Sequence, residues 1–344
     1  MKPTRLLAAV AGGLLLVLAC APVRAPAGPQ VAAPALQEDV LLAPDGSRLP
    51  MRSWLPESGP ADAVVIALHG FNDYSNFFDG AGQFLAHRAI ASYAYDQRGF
   101  GASPSRGLWP GTDALTADLR AAIAAVRALH PGAPLYLFGE SMGGAVVMAL
   151  MAEPRPPAVD GVILSAPAVW GRSSMPWYQT MALWMAVHTF PGSRLSGAGL
   201  GIQASDNIEM LRALGHDPMV IKGTRVDAVW GLVNLMDQAM AAAPVLDGRM
   251  LILYGERDQL IPAGAMAEML ARLPGEGAGQ RRFALYGDGW HMLTRDLQAE
   301  TVWRDIDGWI ADPDAPLSSG ADRRGAAGAC RGRTICAADT FVPS

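Results

Sequence analysis

A chain of 344 residues that is 51% hydrophobic and only 17% charged can bury a core of ordinary size, and it is too poor in charge for a disordered chain or a charge-patterned coiled coil. Lys and Arg number 27 against 32 Asp and Glu, a formal net charge of -5, so no overall positive field draws nucleic-acid phosphates. Three cysteines are too few for a disulfide-built fold, and none are spaced as in a zinc knuckle or a thioredoxin-like site.

In chain order, a basic Met1–Arg5 precedes an uncharged apolar run, Leu6–Ala19, the pattern of a secretory signal peptide over residues 1–20. The run falls short of the roughly 20 apolar residues a membrane span needs. Val17-Leu18-Ala19-Cys20 resembles the lipobox of bacterial lipoproteins. That resemblance implies lipidation at Cys20 and a periplasmic location in the cell envelope. Ala21, where an inner-membrane signal often places Asp, directs the expectation to an outer-membrane anchor; ordinary cleavage and secretion is the alternative. Residues 21–37, with several Pro and almost no charge, read as a semi-extended tether.

The globular region, 38–311, begins with Asp39–Leu42 and Arg48–Trp54 around Pro44-Asp45-Gly46, a hairpin signal. Apolar strands buried on both faces follow at Ala63–Leu68, Ile90–Tyr95, Leu135–Phe138, Val162–Leu164, Met250–Tyr254 and Phe283–Tyr286. They alternate with helical periods at Ser75–Arg88, Thr112–Leu129, Met142–Ala152, Ala263–Leu273 and Leu297–Ile310. Repeated βα units of this kind build a mostly parallel sheet. The Met- and Trp-rich stretch at about 170–245 breaks the alternation and reads as a helical cap over the sheet's C-terminal edge, where open α/β folds bind ligands. Residues 312–344, rich in Gly, Ala and Arg without an apolar period, read as a flexible tail. In an oxidising compartment Cys330 and Cys336 can pair or stay as thiols.

The chemistry concentrates at Leu135–Phe138 followed by Gly139-Glu140-Ser141-Met142-Gly143-Gly144 and a helix. This is Gly-x-Ser-x-Gly at a strand-to-helix turn, with Gly139 and Gly143 where side chains would collide and Ser141 at the apex as nucleophile. A serine hydroxyl needs a base, and the base needs an orienting acid. Among six His, His291 in the glycine-rich loop after the last strand is the best base. His87, His130, His188 and His216 fall in surface helices or the cap. Asp258, after Met250–Tyr254, is the acid that orients His291, with Glu256 and Asp288 as rivals. The oxyanion needs two N–H donors, expected from Met142 and from Phe71 in Leu68-His69-Gly70-Phe71-Asn72, with His69 bracing that loop.

The set His69-Gly70, Asp96-Gln97-Arg98-Gly99-Phe100-Gly101-Ala102-Ser103, the Ser141 turn, Gly255-Glu256-Arg257-Asp258 and Gly289-Trp290-His291 resembles the α/β-hydrolases of the monoacylglycerol lipase and lysophospholipase group, relatives of the S33 serine aminopeptidases. The cap phrase Ala204-Ser205-Asp206-Asn207 with Asp217-Pro218 is similar too, whereas Phe71-Asn72-Asp73 departs from the small residue and Gly or Ser usual there. The resemblance implies an α/β-hydrolase fold, with a mostly parallel eight-stranded sheet, helices on both faces and a cap inserted after the sixth strand. It also implies supporting roles for Asp96 and Arg98. The activity expected is that of a serine ester hydrolase on a monoacylglycerol or lysophospholipid, with an acyl ester as its small-molecule partner, the membrane as its anchor and no nucleic acid. Neither cofactor nor metal is expected: Gly99-Phe100-Gly101 and Gly197-Ala198-Gly199 are incomplete dinucleotide fingerprints, and no His-Glu-x-x-His run exists. The alternatives are a proline-releasing peptidase of the same fold, which the apolar cap disfavours, and a non-catalytic lipid-binding lipoprotein, which needs no Ser141, Asp258 and His291 set.

Overall fold

Apolar runs become strands here wherever both of their faces can be covered. The computed structural model describes residues 21–197, 199, 201–274 and 281–330, side chains of 327–330 excepted. The expected signal peptide, Cys20, Cys336 and the side chain of Cys330 lie outside the described residues.

The strands are β1 (Ala35–Gln37), β2 (Val40–Leu42), β3 (Arg48–Trp54), β4 (Ala63–Leu68), β5 (Ile90–Tyr95), β6 (Leu135–Glu140) and β7 (Gly161–Ser165), then a short separate ribbon of β8 (Arg194–Leu195) and β9 (Thr224–Arg225), then β10 (Met250–Gly255) and β11 (Arg281–Tyr286). Helices are α1 (Asp79–Ala86), α2 (Thr112–Leu129), α3 (Met142–Met151), α4 (Trp177–Thr189), α5 (Ile208–His216), α6 (Val226–Ala242), α7 (Ala263–Arg272), α8 (Ala299–Ala311) and α9 (Ala321–Cys330). The main sheet runs β1-β2-β3-β5-β4-β6-β7-β10-β11. Its first strands pair antiparallel and the strands from β5 onward are parallel. Nine strands stand where eight were expected, because Ala35–Gln37 adds an edge strand on β2. For the same reason the cap follows the seventh strand, not the sixth. Strands β4 to β7 and β10 are buried throughout, as continuous apolar runs between two helical layers should be, while β11 at the edge is buried only over its second half.

One core holds Ile123 of α2, Val146 of α3, Leu235 of α6 and Met266 of α7 against one face of the sheet. The other holds Leu85 of α1 with Ile306 and Trp309 of α8. Trp309 lies edge-on to Tyr136, with ring centroids 5.8 Å apart. A Cβ at Gly161 would meet Trp309 at 2.7 Å, so that glycine makes room for the indole.

Two segments read as loose are packed. Instead of standing off as a tether, residues 21–34 run along the surface. The Val23 N–H donates to Asp227 Oδ2 (3.1 Å), Ala25 N–H to the Trp109 carbonyl (3.0 Å), and Gly28 N–H to Asp45 Oδ2 (2.9 Å). An extended Pro-rich backbone leaves its polar groups open to such partners, and side-chain periodicity carries no trace of it. The start of the expected tail packs as well: Leu317 and Ala321 are buried, and Arg282 pairs with Asp322 at 3.1 Å. Helix α9 lies against β11 so closely that a Cβ at Gly325 would meet the Phe283 carbonyl oxygen at 2.2 Å. A bare sheet edge would expose unpaired backbone and half-buried apolar side chains, and this helix covers it.

Candidate active site

The strand order creates the site. From β4 the chain crosses to β5, and from β6 to β7 on the opposite side, so the loops leaving β4 and β6 diverge and open a cleft at the switch point. Leu68 is in register with Gly139, and Glu140 with Ser165, so the ends of these neighbouring strands share one rim.

Ser141 occupies that rim in a strained conformation, φ 54° and ψ -116°, a region side chains rarely adopt. Its own backbone holds it there. The Ser141 N–H donates to the Ser165 carbonyl (2.9 Å) and its carbonyl accepts from Ala168 N–H (2.9 Å) and Ala145 N–H (3.1 Å). The turn is tight enough that a Cβ at Gly139 would meet Gly143 C at 2.6 Å, and one at Gly143 would meet the Leu68 oxygen at 2.2 Å. Gly70 faces Ser141 across the cleft, with its would-be Cβ 3.4 Å from Ser141 Cβ. The Met142 N–H heads α3, and those first N–H groups have no partner within their helix. The expected donor loop is thus brought beside the serine.

Asp258 follows β10 and His291 follows β11, strands whose register aligns Gly255 with Tyr286. His291 donates from Nδ1 to Asp258 Oδ2 at 2.8 Å, with both side chains almost fully buried. Asp258 Oδ1 accepts from Leu260 N–H (2.8 Å) and Ile261 N–H (3.0 Å), so the carboxylate cannot swing away. Burial lowers the basicity of His291, but the charge and hydrogen bond of Asp258, with the charge of Glu140, outweigh it and raise the imidazole above its ordinary value. Among the described residues no hydrogen bond joins the Ser141 hydroxyl to His291; such bonds are often long before substrate binds. The rivals face solvent: Glu256 is exposed, and Asp288, 71% exposed, pairs with Arg257. His87, His188 and His216 are exposed, and His130 bonds Tyr93 at 2.7 Å.

His69 is fully buried, with Nδ1 on the Gly70 carbonyl (2.8 Å) and Nε2 accepting from Gln97 N–H (2.9 Å). Burial lowers its pKa, so it is a neutral strut under the loop. Asp96 accepts from Ser75 N–H and Ala102 N–H. Arg98 reaches away from the cleft, clamping Asp118 of α2 to Asp45 in the β2–β3 turn. Phe71 packs on Phe100 and Trp109, at ring separations of 5.5 and 6.3 Å. Asn72, at φ 67°, ties the loop to the cap through its carbonyl to Ile221 N–H (2.9 Å) and its side chain to Thr224 (2.6 Å).

Sequence reasoning missed the charges under this rim. Glu140, beside Ser141, accepts from Arg295 (2.7 Å) and Thr294 (3.2 Å), and Arg295 also bonds Asp73 (2.8 Å), the two carboxylates buried and the guanidinium nearly so. Asp296 accepts from Trp290 N–H (2.8 Å) and from Ser205 of the cap (2.6 Å). The signal was the closeness of Arg295-Asp296 to His291.

The family model for the S33 serine aminopeptidases matches residues 59–298. The monoacylglycerol lipase of Mycolicibacterium smegmatis is 26% identical over 270 residues, covering 77% of this chain and 93% of the relative. The human monoglyceride lipase is 25% identical over 276 residues, covering 79% and 89%. Among solved structures, the monoglyceride lipase of Saccharomyces cerevisiae, in a soluble variant bound to a substrate analogue, superimposes with a TM-score of 0.68 at 19% identity over 85% of this chain and all of that one. The monoacylglycerol lipase of Paleococcus ferrophilus does so at 0.64 and 22% identity, over 77% and 99%. These neighbours share the α/β-hydrolase architecture, and with the family match spanning the sheet, the Ser141 turn and the His291 loop, the chain belongs to the S33 serine hydrolase family.

Proposed function

We propose that this enzyme is a serine ester hydrolase acting on a monoacylglycerol or a lysophospholipid, with Ser141, His291 and Asp258 as its catalytic set. The observation that carries the reading is the buried His291–Asp258 pair on the rim that also presents Ser141 on a strained turn. Ser141 Oγ attacks the acyl carbonyl while His291 Nε2 takes its proton, and the N–H groups of Phe71 and Met142 hold the oxyanion. His291 then protonates the leaving alcohol, and water repeats the sequence on the acyl-enzyme. Lipase relatives and an apolar cap support an acyl chain as the part bound: α4 exposes Trp177 and Trp184, with Phe190 just after it.

The test sets p-nitrophenyl esters, monoacylglycerols, lysophospholipids and proline anilides side by side. Ester turnover abolished by Ser141→Ala is expected; dominant anilide cleavage overturns the ester reading in favour of a peptidase, and no turnover in favour of a binding protein.

Lipid anchoring at Cys20 in the bacterial envelope belongs to the same proposal. It is supported by Val17-Leu18-Ala19-Cys20 and by the bond from Val23 N–H to Asp227 of α6, which starts the described chain beside the cap. Labelling with a fatty-acid analogue that survives Cys20→Ala overturns it.

A further inference from the structure

A cavity of about 250 Å³ opens between the 106–107 turn, β8 and the strap 220–223. Its charged lining is Arg106, Arg194 and Lys222, and among the described residues none of the three enters an ion pair. In a protein of net charge -5, three cations without an ion-pair partner around one hollow make a local positive field.

The three side chains are held rather than splayed. Arg106 Nη2 donates to the Pro218 carbonyl (2.5 Å), Arg194 Nη1 to the Gly223 carbonyl (2.9 Å), and Lys222 Nζ to the carbonyls of Val220 (3.1 Å) and Asp217. Each keeps further N–H donors, since a guanidinium has five and an ammonium three. The neighbouring Asp217 carboxylate forms no ion pair with them; its oxygens accept from the Tyr74 hydroxyl (2.7 Å) and the Met219 N–H (2.8 Å).

The wall of the cavity touches the loop that carries Phe71. Ile221 in its wall donates to the carbonyl of Asn72, the residue after Phe71, and Trp109, three residues beyond Arg106, packs on the Phe71 ring. An anion seated there lies beside the expected oxyanion loop. The cap next to it exposes apolar side chains such as Trp184 and Leu195, so the surroundings suit an amphiphile with an anionic head better than a bare ion.

We propose that Arg106, Arg194 and Lys222 form an anion subsite for the phosphate of a lysophospholipid, an assignment that rests on the ester-hydrolase reading and narrows its substrate. Three donors from separate segments, two of them planar forks, match the oxygens of a phosphate.

The test compares 1-lauroylglycerol 3-phosphate with 1-lauroylglycerol on the full chain, with kcat/KM for each at low and high NaCl. Wild type is expected to favour the phosphate ester. Arg194→Ala and Arg106→Ala each lower the ratio of the two values by roughly tenfold, the size of one charge-assisted hydrogen bond, mainly through KM. Because the ratio is internal to each protein, partial misfolding does not mimic the effect, and high salt lowers it in wild type with no substitution at all. A ratio unmoved by either variant and by salt overturns the subsite while leaving ester hydrolysis standing. If neither ester turns over, the ester reading falls and calorimetric binding of the phosphate ester decides the subsite: binding lost in Arg194→Ala upholds it, and absent binding overturns it. Inorganic phosphate binding as tightly as the phosphate ester assigns the cavity to free phosphate and overturns the lipid headgroup.

Discussion

His291 donates from Nδ1 to Asp258 Oδ2 at 2.8 Å, while the other oxygen of that carboxylate is held by two backbone N–H groups. The bond fixes one tautomer, with Nε2 on the far side of the ring as the nitrogen able to accept a proton. Asp258→Asn releases that tautomer and is expected to cost on the order of 10⁴-fold in turnover. Ser141→Ala or His291→Ala is expected to cost on the order of 10⁶, as such losses do in other serine hydrolases. Single-turnover assays of purified variants measure both, and an Asp258→Asn enzyme of wild-type rate overturns the pairing.

The same pair sets a pH dependence. As the proposed base His291 acts in its neutral form, and its raised pKa places the acid limb of the kcat/KM profile above about 6.5, the value of an ordinary imidazole. Protonated His291 also stabilises the fold. That contribution is complete below the unfolded value and is lost as pH rises through the folded one, so activity and stability run in opposite directions across the window. In Asp258→Asn the limb should move down and the stability change should shrink. Rate profiles together with thermal midpoints test this; a limb that stays in place contradicts the assignment.

At the turn, Gly143→Ala places a methyl 2.2 Å from the Leu68 oxygen. That overlap is with backbone, so no side chain can rotate to relieve it. The expected loss is about 1–3 kcal/mol or more, with activity falling further than stability because Ser141 and the Met142 N–H shift with the turn. Urea unfolding and kcat/KM on one preparation separate the two effects.

Arg295 bridges Glu140 and Asp73 at 2.7 and 2.8 Å. Arg295→Met leaves two buried carboxylates facing one another without a cation, which should cost about 3–5 kcal/mol. The triple replacement Arg295→Met with Glu140→Gln and Asp73→Asn should recover much of it. Recovery of none in chemical denaturation shows that shape rather than charge was lost.

What the sequence disclosed depended on how local the signal was. The strand, glycines and helix around Ser141 lie within a few residues of each other, and Asp258 and His291 each end an apolar strand run, so periodicity and turn chemistry were enough to place them on one rim. Arg295 gave no such sign, since its partners Asp73 and Glu140 are more than 150 positions away. The docked 21–34 segment and α9 were missed for a different reason. Their contacts are backbone hydrogen bonds and close approaches at Gly325, which leave Pro-, Ala- and Gly-rich stretches looking like linkers.

Asp296 offers the last test. Its carboxyl, buried beneath the His291 loop, is pushed up to about 6 by burial, against the opposing hydrogen bonds from Ser205 and Trp290. For a folded-state pKa above the unfolded one, the protonated form carries the stabilisation, in full below about 4, and it is lost as pH rises through about 6. Asp296→Asn keeps a neutral group of the same shape at every pH. Wild type should therefore lose thermal stability relative to Asp296→Asn between about pH 4 and 6 and run parallel to it outside that window. Parallel stability curves throughout would place the titration of Asp296 elsewhere.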